Sequence, residues 1–143
     1  MTLPFKYQNA SRDFEQFLID ARDYADLATT NMAWNMVVGV LHTFRRRLTV
    51  QQVVGFSSVL PPVISALFLE HWDPNQEVEV FGTDERLLVE IRMVRKEHNF
   101  SASNAILAVA KALRNRVDPV EFKLALSQLP VGAERFWDAQ DAV

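Results

Sequence analysis

Histidine has the widest range of possible chemistry in this sequence, because its ring can bind a metal or transfer a proton near neutral pH. The three histidines are His42, His71 and His98, and none lies three to five residues from another, as in helical metal sites. Glu70 and Glu97 each directly precede a histidine, but adjacent residues of a helix point to different sides. The spacing predicts no metal site and no acid–base pair, and favours histidines that are solvated or lie at the edge of a core.

Other residue patterns that carry chemistry are also missing from the sequence. There is no cysteine, which excludes disulfides, thiolate catalysis and sulfur-ligated metal centres. Gly39, Gly55, Gly82 and Gly132 are isolated from one another, so there is no glycine-rich phosphate loop, and no serine lies in a nucleophile elbow. The sequence thus predicts no cofactor. An enzyme whose catalytic groups converge only in the fold stays open as an alternative.

Basic residues form two clusters whose chemistry suits an anion. The clusters comprise Arg45, Arg46 and Arg47, and Lys111, Arg114 and Arg116. No lysine or arginine lies between residues 47 and 86, so charge is segregated along the chain. One interpretation is a composite site that holds phosphate, carboxylate or a nucleic-acid backbone. The other, which we favour, is that the clusters stabilise helix ends and pair with the acidic segment at residues 20–26, because cations complement the dipole at a helix C-terminus.

Length, charge and composition define the class of protein. A chain of 143 residues can bury one core without disulfides, and its net charge of -3 gives no global attraction to nucleic acid or anionic lipid. The lack of cysteine, and of a basic and apolar leader pattern at the start, favours a cytoplasmic protein. Residues 48–69 carry no charge and are long enough to span a bilayer, but Pro61 and Pro62 interrupt them. We therefore expect two short helices there and no membrane segment.

Apolar periodicity and capping residues predict four helices in the first half of the chain. Apolar residues recur every three or four positions over residues 14–25, and Ser11 is the predicted cap of this helix. A second helix follows Thr30 and ends at the first basic cluster. Thr49, with Gln52 three residues later, predicts a capping box, and either residue of the proline pair can open the fourth helix.

The second half repeats this order of signals. Thr83 is the predicted cap of its first helix, and Ser101 or Ser103 that of the next. Asp118 and Glu121 frame a proline and predict a second capping box. The halves are therefore expected to contain the same kinds of helices in the same order.

The segment between the halves lacks a helical period. Residues 73–83 contain proline, asparagine and glycine, which predicts a connector. Polar and apolar residues alternate over residues 77–81, so a short strand and an extended link are both open. We treat the segment as a linker, because a single strand cannot define a sheet.

A single shift without gaps aligns the two halves. It places Leu60-Pro61 on Leu129-Pro130, and it also matches Asn35 with Asn104, Val40 with Val109, Arg45 with Arg114, Arg47 with Arg116 and Ser58 with Ser127. The pattern predicts an all-α fold, a tandem repeat of two helical units of about four helices each, packed into one compact helical domain. The single domain covers residues 1–143, with repeat one at about 11–72, the linker at about 73–83 and repeat two at about 84–138.

Several segments carry a resemblance to a known family: residues 14–18, 40–48, 67–72, Leu60-Pro61, Leu129-Pro130 and Phe136-Trp137. Together they resemble the bacterial domain of unknown function family 2267, whose members carry two helical units. The resemblance covers nearly all of the chain after residue 10. It implies an all-helical two-repeat fold, and it implies no activity, because the family offers no catalytic or ligand-binding residues to transfer.

Aromatic residues divide into those that fit a core and those that do not. Core positions of the apolar stripes are occupied by Phe14, Phe17, Trp34, Phe44, Phe122 and Phe136. Phe56, Phe81 and Trp137 are less easily placed, and exposure of these rings would offer a patch to another protein or a second copy. The leading hypothesis is a non-catalytic protein-interaction or self-assembly module. Binding of a polyanion or nucleic acid is the alternative, and an enzyme is less favoured.

Overall fold

The fold is all-helical over the residues that the structure, a computed structural model, describes: 3–94, 96–97, 99 and 101–140. This part contains nine helices, α1 (Phe5–Gln8), α2 (Ala10–Tyr24), α3 (Thr30–Arg45), α4 (Val50–Ser57), α5 (Pro62–Leu69), α6 (Asp84–Met93), α7 (Ala105–Arg114), α8 (Pro119–Ser127) and α9 (Ala133–Phe136). No strand occurs in it, so residues 77–81 form an extended link. The prediction of an all-α fold is confirmed.

Side-chain caps begin four of these helices. Thr29 Oγ1 accepts a hydrogen bond from the Met32 N–H at 3.2 Å, one residue earlier than the predicted start of α3. Thr49 and Gln52 form the predicted capping box of α4. Thr83 caps α6, and Asp118 caps α8 by accepting from two backbone N–H groups. These caps satisfy the backbone donors that a helix start leaves free, so the local sequence fixes where each helix begins.

Two of the predicted helix starts are wrong. α2 begins before Ser11, because the Asn9 carbonyl already accepts the first helical hydrogen bond and the chain enters α2 directly from α1. α7 begins later than Ser101 or Ser103. The N–H and the hydroxyl of Ser101 both donate to the Asn99 side chain, which holds this buried serine in a turn that precedes the helix.

α3 is the central helix of the fold. Every residue from Asn35 to Arg45 is buried, and α2, α5, α6 and α7 all pack against α3. A helix with apolar residues on most of its sides is stable when other helices surround it. A Cβ atom on Gly39 would lie 2.6 Å from the backbone oxygen of Ile91, so the absence of a side chain there permits the close approach of α6.

An aromatic cluster joins the two halves of the chain. The Phe44 ring lies 4.9 Å from that of Phe56 and 5.2 Å from that of Trp137, measured between centroids. Phe56 and Trp137 are buried, and Phe81 is partly buried against Phe44 and Phe136. Phe56, Phe81 and Trp137 therefore do not form the exposed patch that the sequence left open. They pack where the two halves meet, a position that the periodicity within either half does not indicate.

The uncharged stretch at residues 48–69 forms two short helices, as predicted. Residues 58–61, which include Leu60 and Pro61, separate α4 from α5, and Pro62 is the first residue of α5. In the described part of the chain, no helix combines the length and the apolarity needed to cross a bilayer. α4 also packs against α8, which brings this stretch next to the second half.

Candidate functional site

The first basic cluster begins with Arg45, which binds the end of α5. Its Nη1 donates hydrogen bonds to the carbonyl oxygens of Phe68 and Glu70, at 2.7 and 2.9 Å. Burial, and then the neighbouring charge of Arg46, lower the pKa of the Arg45 guanidinium to about 10, so the group stays charged at neutral pH. A cation at the last carbonyls of a helix stabilises that end. Arg45 therefore fastens α5 to α3.

Arg46 and Arg47 are paired with an acid from the second half of the chain. The Arg47 side chain is 1% exposed, its Nη1 donates to Glu90 Oε1 at 2.9 Å, and its Nη2 donates to Glu90 Oε2. Arg46 Nη1 donates to the same Oε1 at 3.3 Å. Burial acts to raise the pKa of Glu90, but hydrogen bonds and charges of Arg47 and Arg46 outweigh it and lower that pKa. Glu90 is thus an ionised carboxylate that neutralises this part of the cluster.

The first basic cluster also holds the connector. Arg47 Nε donates to the Val80 carbonyl at 3.1 Å, and its Nη2 lies 3.7 Å from the Glu79 carboxylate. The Glu79 N–H donates to the Arg46 carbonyl at 2.9 Å. These contacts explain why an extended segment without ladder partners follows a defined path along the end of α3.

Glu90 is the acid that the sequence interpretation missed, since that interpretation paired the arginines with residues 20–26. A signal for it exists on α6. Leu87 and Ile91 are buried, and Glu90 lies three residues after the first and directly before the second. A carboxylate next to the apolar stripe of a helix needs a cationic partner, and the basic end of α3 is that partner.

The second basic cluster contacts other parts of the protein. Arg114 Nε donates to the Trp137 carbonyl at 2.8 Å, and its guanidinium carbon lies 5.0 Å from the centroid of the Phe122 ring. An arginine over an aromatic face gains a cation–π attraction. Arg114 therefore ties the end of α7 to α8 and to the chain after α9.

Arg116 and Lys111 face α2. Arg116 lies 3.8 Å from the Asp20 carboxylate and 3.9 Å from that of Asp13, and Lys111 Nζ lies 5.7 Å from the centroid of the Tyr24 ring. The first cluster contacts α5, α6 and the connector, whereas the second contacts α2, Phe122 of α8 and the Trp137 carbonyl. Binding of an anion by these six residues stays a prediction.

The histidines differ in their surroundings. His42 is buried, its Nε2 lies 2.9 Å from the Leu67 carbonyl oxygen, and burial is the main cause that lowers its pKa to about 4. His71 is exposed and lies 3.1 Å from the Glu70 carboxylate, so the expectation that these neighbours point apart is wrong. The reason is that α5 ends before them and His71 adopts a left-handed backbone conformation, with φ of 59°. His98 lies outside the described residues.

A concave surface of about 240 Å³ is lined by Arg45 and Arg46, and two others are larger and mainly apolar. One, of about 540 Å³, has apolar walls from α6 and α7, and Arg135 pairs with Asp84 at 3.2 Å on its rim. In the described residues there is no group of three or more histidine, cysteine or acidic side chains placed to hold a metal ion. The other concavity is an apolar groove between α4 and α8.

The α4/α8 groove has a volume of about 670 Å³. It is lined on the α4 side by Gln51, Gln52, Gly55, Phe56, Ser58 and Val59, and on the α8 side by Glu121, Leu124, Ala125, Gln128 and Leu129. α4 and α8 direct Phe56 and Phe122 into the core, and this packing fixes the two helices that form the walls. The opposite sides of the helices therefore remain open to solvent.

The chemistry of the α4/α8 groove is apolar with a few neutral polar groups. Leu124 is 62% exposed, and nothing lies within 4 Å of the position that a Cβ on Gly55 would take. Among the described lining residues, Glu121 alone carries a charge. The groove therefore offers an apolar wall and an open floor, where a large side chain can approach the α4 backbone.

Comparison with known proteins identifies the family. No curated protein matches the chain. The family model described as uncharacterized conserved protein (DUF2267) matches residues 14–136, which include α3 to α9 and most of α2. The all-helical fold agrees with the family that the capping and Leu-Pro segments indicated. The chain belongs to the DUF2267 family.

Proposed function

We propose that this protein is a non-catalytic interaction module whose α4/α8 groove binds an apolar segment of a partner protein. The observation that carries this proposal is the groove itself, in which exposed Leu124 and the open floor at Gly55 lie beside a helix without any charged residue. The centres of protein interfaces are depleted of charge in the same way. A partner segment with a large apolar side chain and a basic neighbour for Glu121 fits this chemistry.

Charged residues are distributed unevenly between the segment that contains α4 and the rest of the chain. Charged residues make up 23% of the chain, yet residues 48–69 contain none. Residues such as Gln51, Val54 and Ala66 in that stretch are nevertheless exposed. Folding does not require exposed positions to be uncharged. Contact of this segment with another protein accounts for the lack of charge.

The test is site-specific photocrosslinking in cells that naturally contain the protein. A photoreactive amino acid replaces Leu124 in the groove or, as a control, Val89, which is 61% exposed on α6. We expect an adduct at position 124 whose partner peptide, identified by mass spectrometry, is apolar. Gly55→Leu should abolish the adduct by obstructing the open floor of the groove. Equal adducts at both positions, or adducts that persist with Gly55→Leu, would contradict the proposal.

We infer that two helical repeats generate the paired walls of the groove, because α3 and α7 end at aligned positions and α4 and α8 begin at aligned positions. We also propose a bacterial, cytoplasmic setting, in line with the family resemblance and the lack of cysteine.

A further inference from the structure

The segment before α2 is an ordered but unburied part of the chain. Leu3, Phe5 and Tyr7 are 59%, 76% and 51% exposed, and α1 buries none of its residues. Backbone hydrogen bonds from Tyr7 and Gln8 to the Pro4 carbonyl hold the turn, at 2.9 and 3.1 Å. We call residues 3–8 the arm. Its helical turn presents two aromatic rings to solvent, although most other aromatic side chains in the described chain are buried or partly buried.

We infer that the arm of one copy docks into the α4/α8 groove of a second copy, and that the exchange is reciprocal. This inference rests on the proposed function, and it names the partner as the chain itself. Lys6 is the only charged residue of the arm, and Glu121 is the only charged residue among the described lining of the groove. The two surfaces are therefore matched in charge as well as in apolar character.

The shape of the groove accommodates the arm. Its volume of about 670 Å³ and the open space above Gly55 leave room for an aromatic ring against the α4 backbone. Lys6 lies next to both rings in the sequence, and its Nζ is 5.0 Å from the Tyr7 centroid, so a ring in the groove carries the ammonium group with it. This places a cation within reach of Glu121.

The surface area that docking would bury favours a reciprocal exchange of arms between two copies. A whole aromatic side chain hides ~150–250 Å², and because Phe5 and Tyr7 are only 76% and 51% exposed, one arm and its groove would together bury roughly 500 Å². A contact of that size is typical of incidental packing, whereas stable interfaces bury about 1,200–2,000 Å². Two arms in two grooves reach roughly 1,000 Å², the size of a weak but specific interface, and because arm and groove are different surfaces, a two-fold pair closes the assembly without free ends.

Gly55 provides a variant that blocks the groove without weakening the helix. Leucine at this position meets no atom within 4 Å of its Cβ and has a higher helix propensity than glycine. Gly55→Leu should therefore fold at least as stably as the wild type while occupying the groove. Gly55→Ala is the matched control, since it gives the same gain in propensity and adds only a methyl group.

The experiment is analytical ultracentrifugation of the purified full chain from about 1 to 500 μM, a range that resolves micromolar dissociation constants. We expect a dimer for the wild type and Gly55→Ala. Gly55→Leu and the double variant Phe5→Ala/Tyr7→Ala should each weaken the dimer by roughly 30-fold or more, as for hot-spot residues. Val120→Ala is the surface control, because Val120 is 68% exposed on α8 but does not line the groove.

Mixing the two defective variants separates arm exchange from other modes of pairing. The arm of Gly55→Leu and the groove of Phe5→Ala/Tyr7→Ala are both intact, so a mixture should form a heterodimer more readily than either variant forms a homodimer. A wild type that stays monomeric, or a dimer indifferent to both variants, would overturn the inference. A groove adduct with a different protein in cells would then leave the proposed function standing and exclude only the second copy.

Discussion

Two helical glycines in contrasting surroundings give the sharpest test of the packing. Gly39 and Gly55 both lie inside helices, and alanine at either position raises helix propensity by about 1 kcal/mol. The spaces that receive the new methyl groups differ. Next to Gly55 the Cβ meets nothing within 4 Å, whereas next to Gly39 it meets the Ile91 oxygen at 2.6 Å and Ile91 Cγ2 at 2.9 Å.

The obstacle at Gly39 is backbone that cannot move freely. Asn99 Nδ2 donates to the Ile91 carbonyl at 2.7 Å, and also contacts the Asn35 carbonyl at 3.3 Å, so a displaced α6 would break contacts on both helices. Overpacking of this kind costs about 1–3 kcal/mol, and rigid backbone places the cost near 3 kcal/mol. After the gain in propensity, Gly39→Ala should lower the free energy of unfolding by about 2 kcal/mol, whereas Gly55→Ala should raise it by about 0.5–1 kcal/mol.

Urea denaturation followed by circular dichroism measures this difference. The midpoint should fall for Gly39→Ala and rise for Gly55→Ala, with unchanged m-values, because the surface exposed on unfolding stays the same. If Gly39→Ala were as stable as Gly55→Ala, α6 would not approach α3 as described, and the account of the central helix would be refuted.

Three further predictions concern charged and titratable groups. Glu90→Gln should lower the free energy of unfolding by about 3 kcal/mol, since it removes the nearer and more buried of the two carboxylates that neutralise the buried Arg47 guanidinium. The lowered pKa of Glu90 means that this contribution is present above pH 4.5 and is lost as the pH falls through the folded-state pKa, which urea titrations at several pH values would detect. For His42, whose folded pKa is about 4 against 6.5 when unfolded, stability should decline as the pH falls from 6.5 to 4, and His42→Gln should remove that decline. Arg116→Gln should cost less than about 1 kcal/mol, and the cost should vanish at about 1 M NaCl; a larger, salt-independent loss would contradict surface pairing with Asp20.

Local chemistry explains which features of the fold the sequence could predict. Thr49 with Gln52, Thr83 and Asp118 act within their own helical turns, so their capping roles followed from neighbouring residues alone. Ser101 had the right residue type for a cap, but its hydrogen bonds go to Asn99, and that side chain is positioned by contacts with α3 and α6. The start of α7 therefore depended on tertiary contacts that periodicity does not contain.

The same limit applies to the candidate site. The sequence indicated an uncharged stretch and clustered arginines, but it could not show that Glu90 would reach Arg47 across the halves, or that Phe56 would be buried by Trp137. The groove depends on which side of α4 faces α8. Burial of the aromatic rings in the core fixes that side, and it leaves Leu124 and Gly55 outside the core.

The hydrogen bonds of the connector determine where the chain should tolerate inserted residues. Because Glu79 and Val80 bond to the end of α3, the connector is tethered to the core there, whereas Gln76 lies in an exposed turn whose hydrogen bond, from its N–H to the Asp73 carbonyl, is local. Extra residues inserted at Gln76 should loop outward with little thermodynamic effect, and a protease should cut there first. An insertion between Glu79 and Val80 should instead disrupt their hydrogen bonds with Arg46 and Arg47 and destabilise both halves.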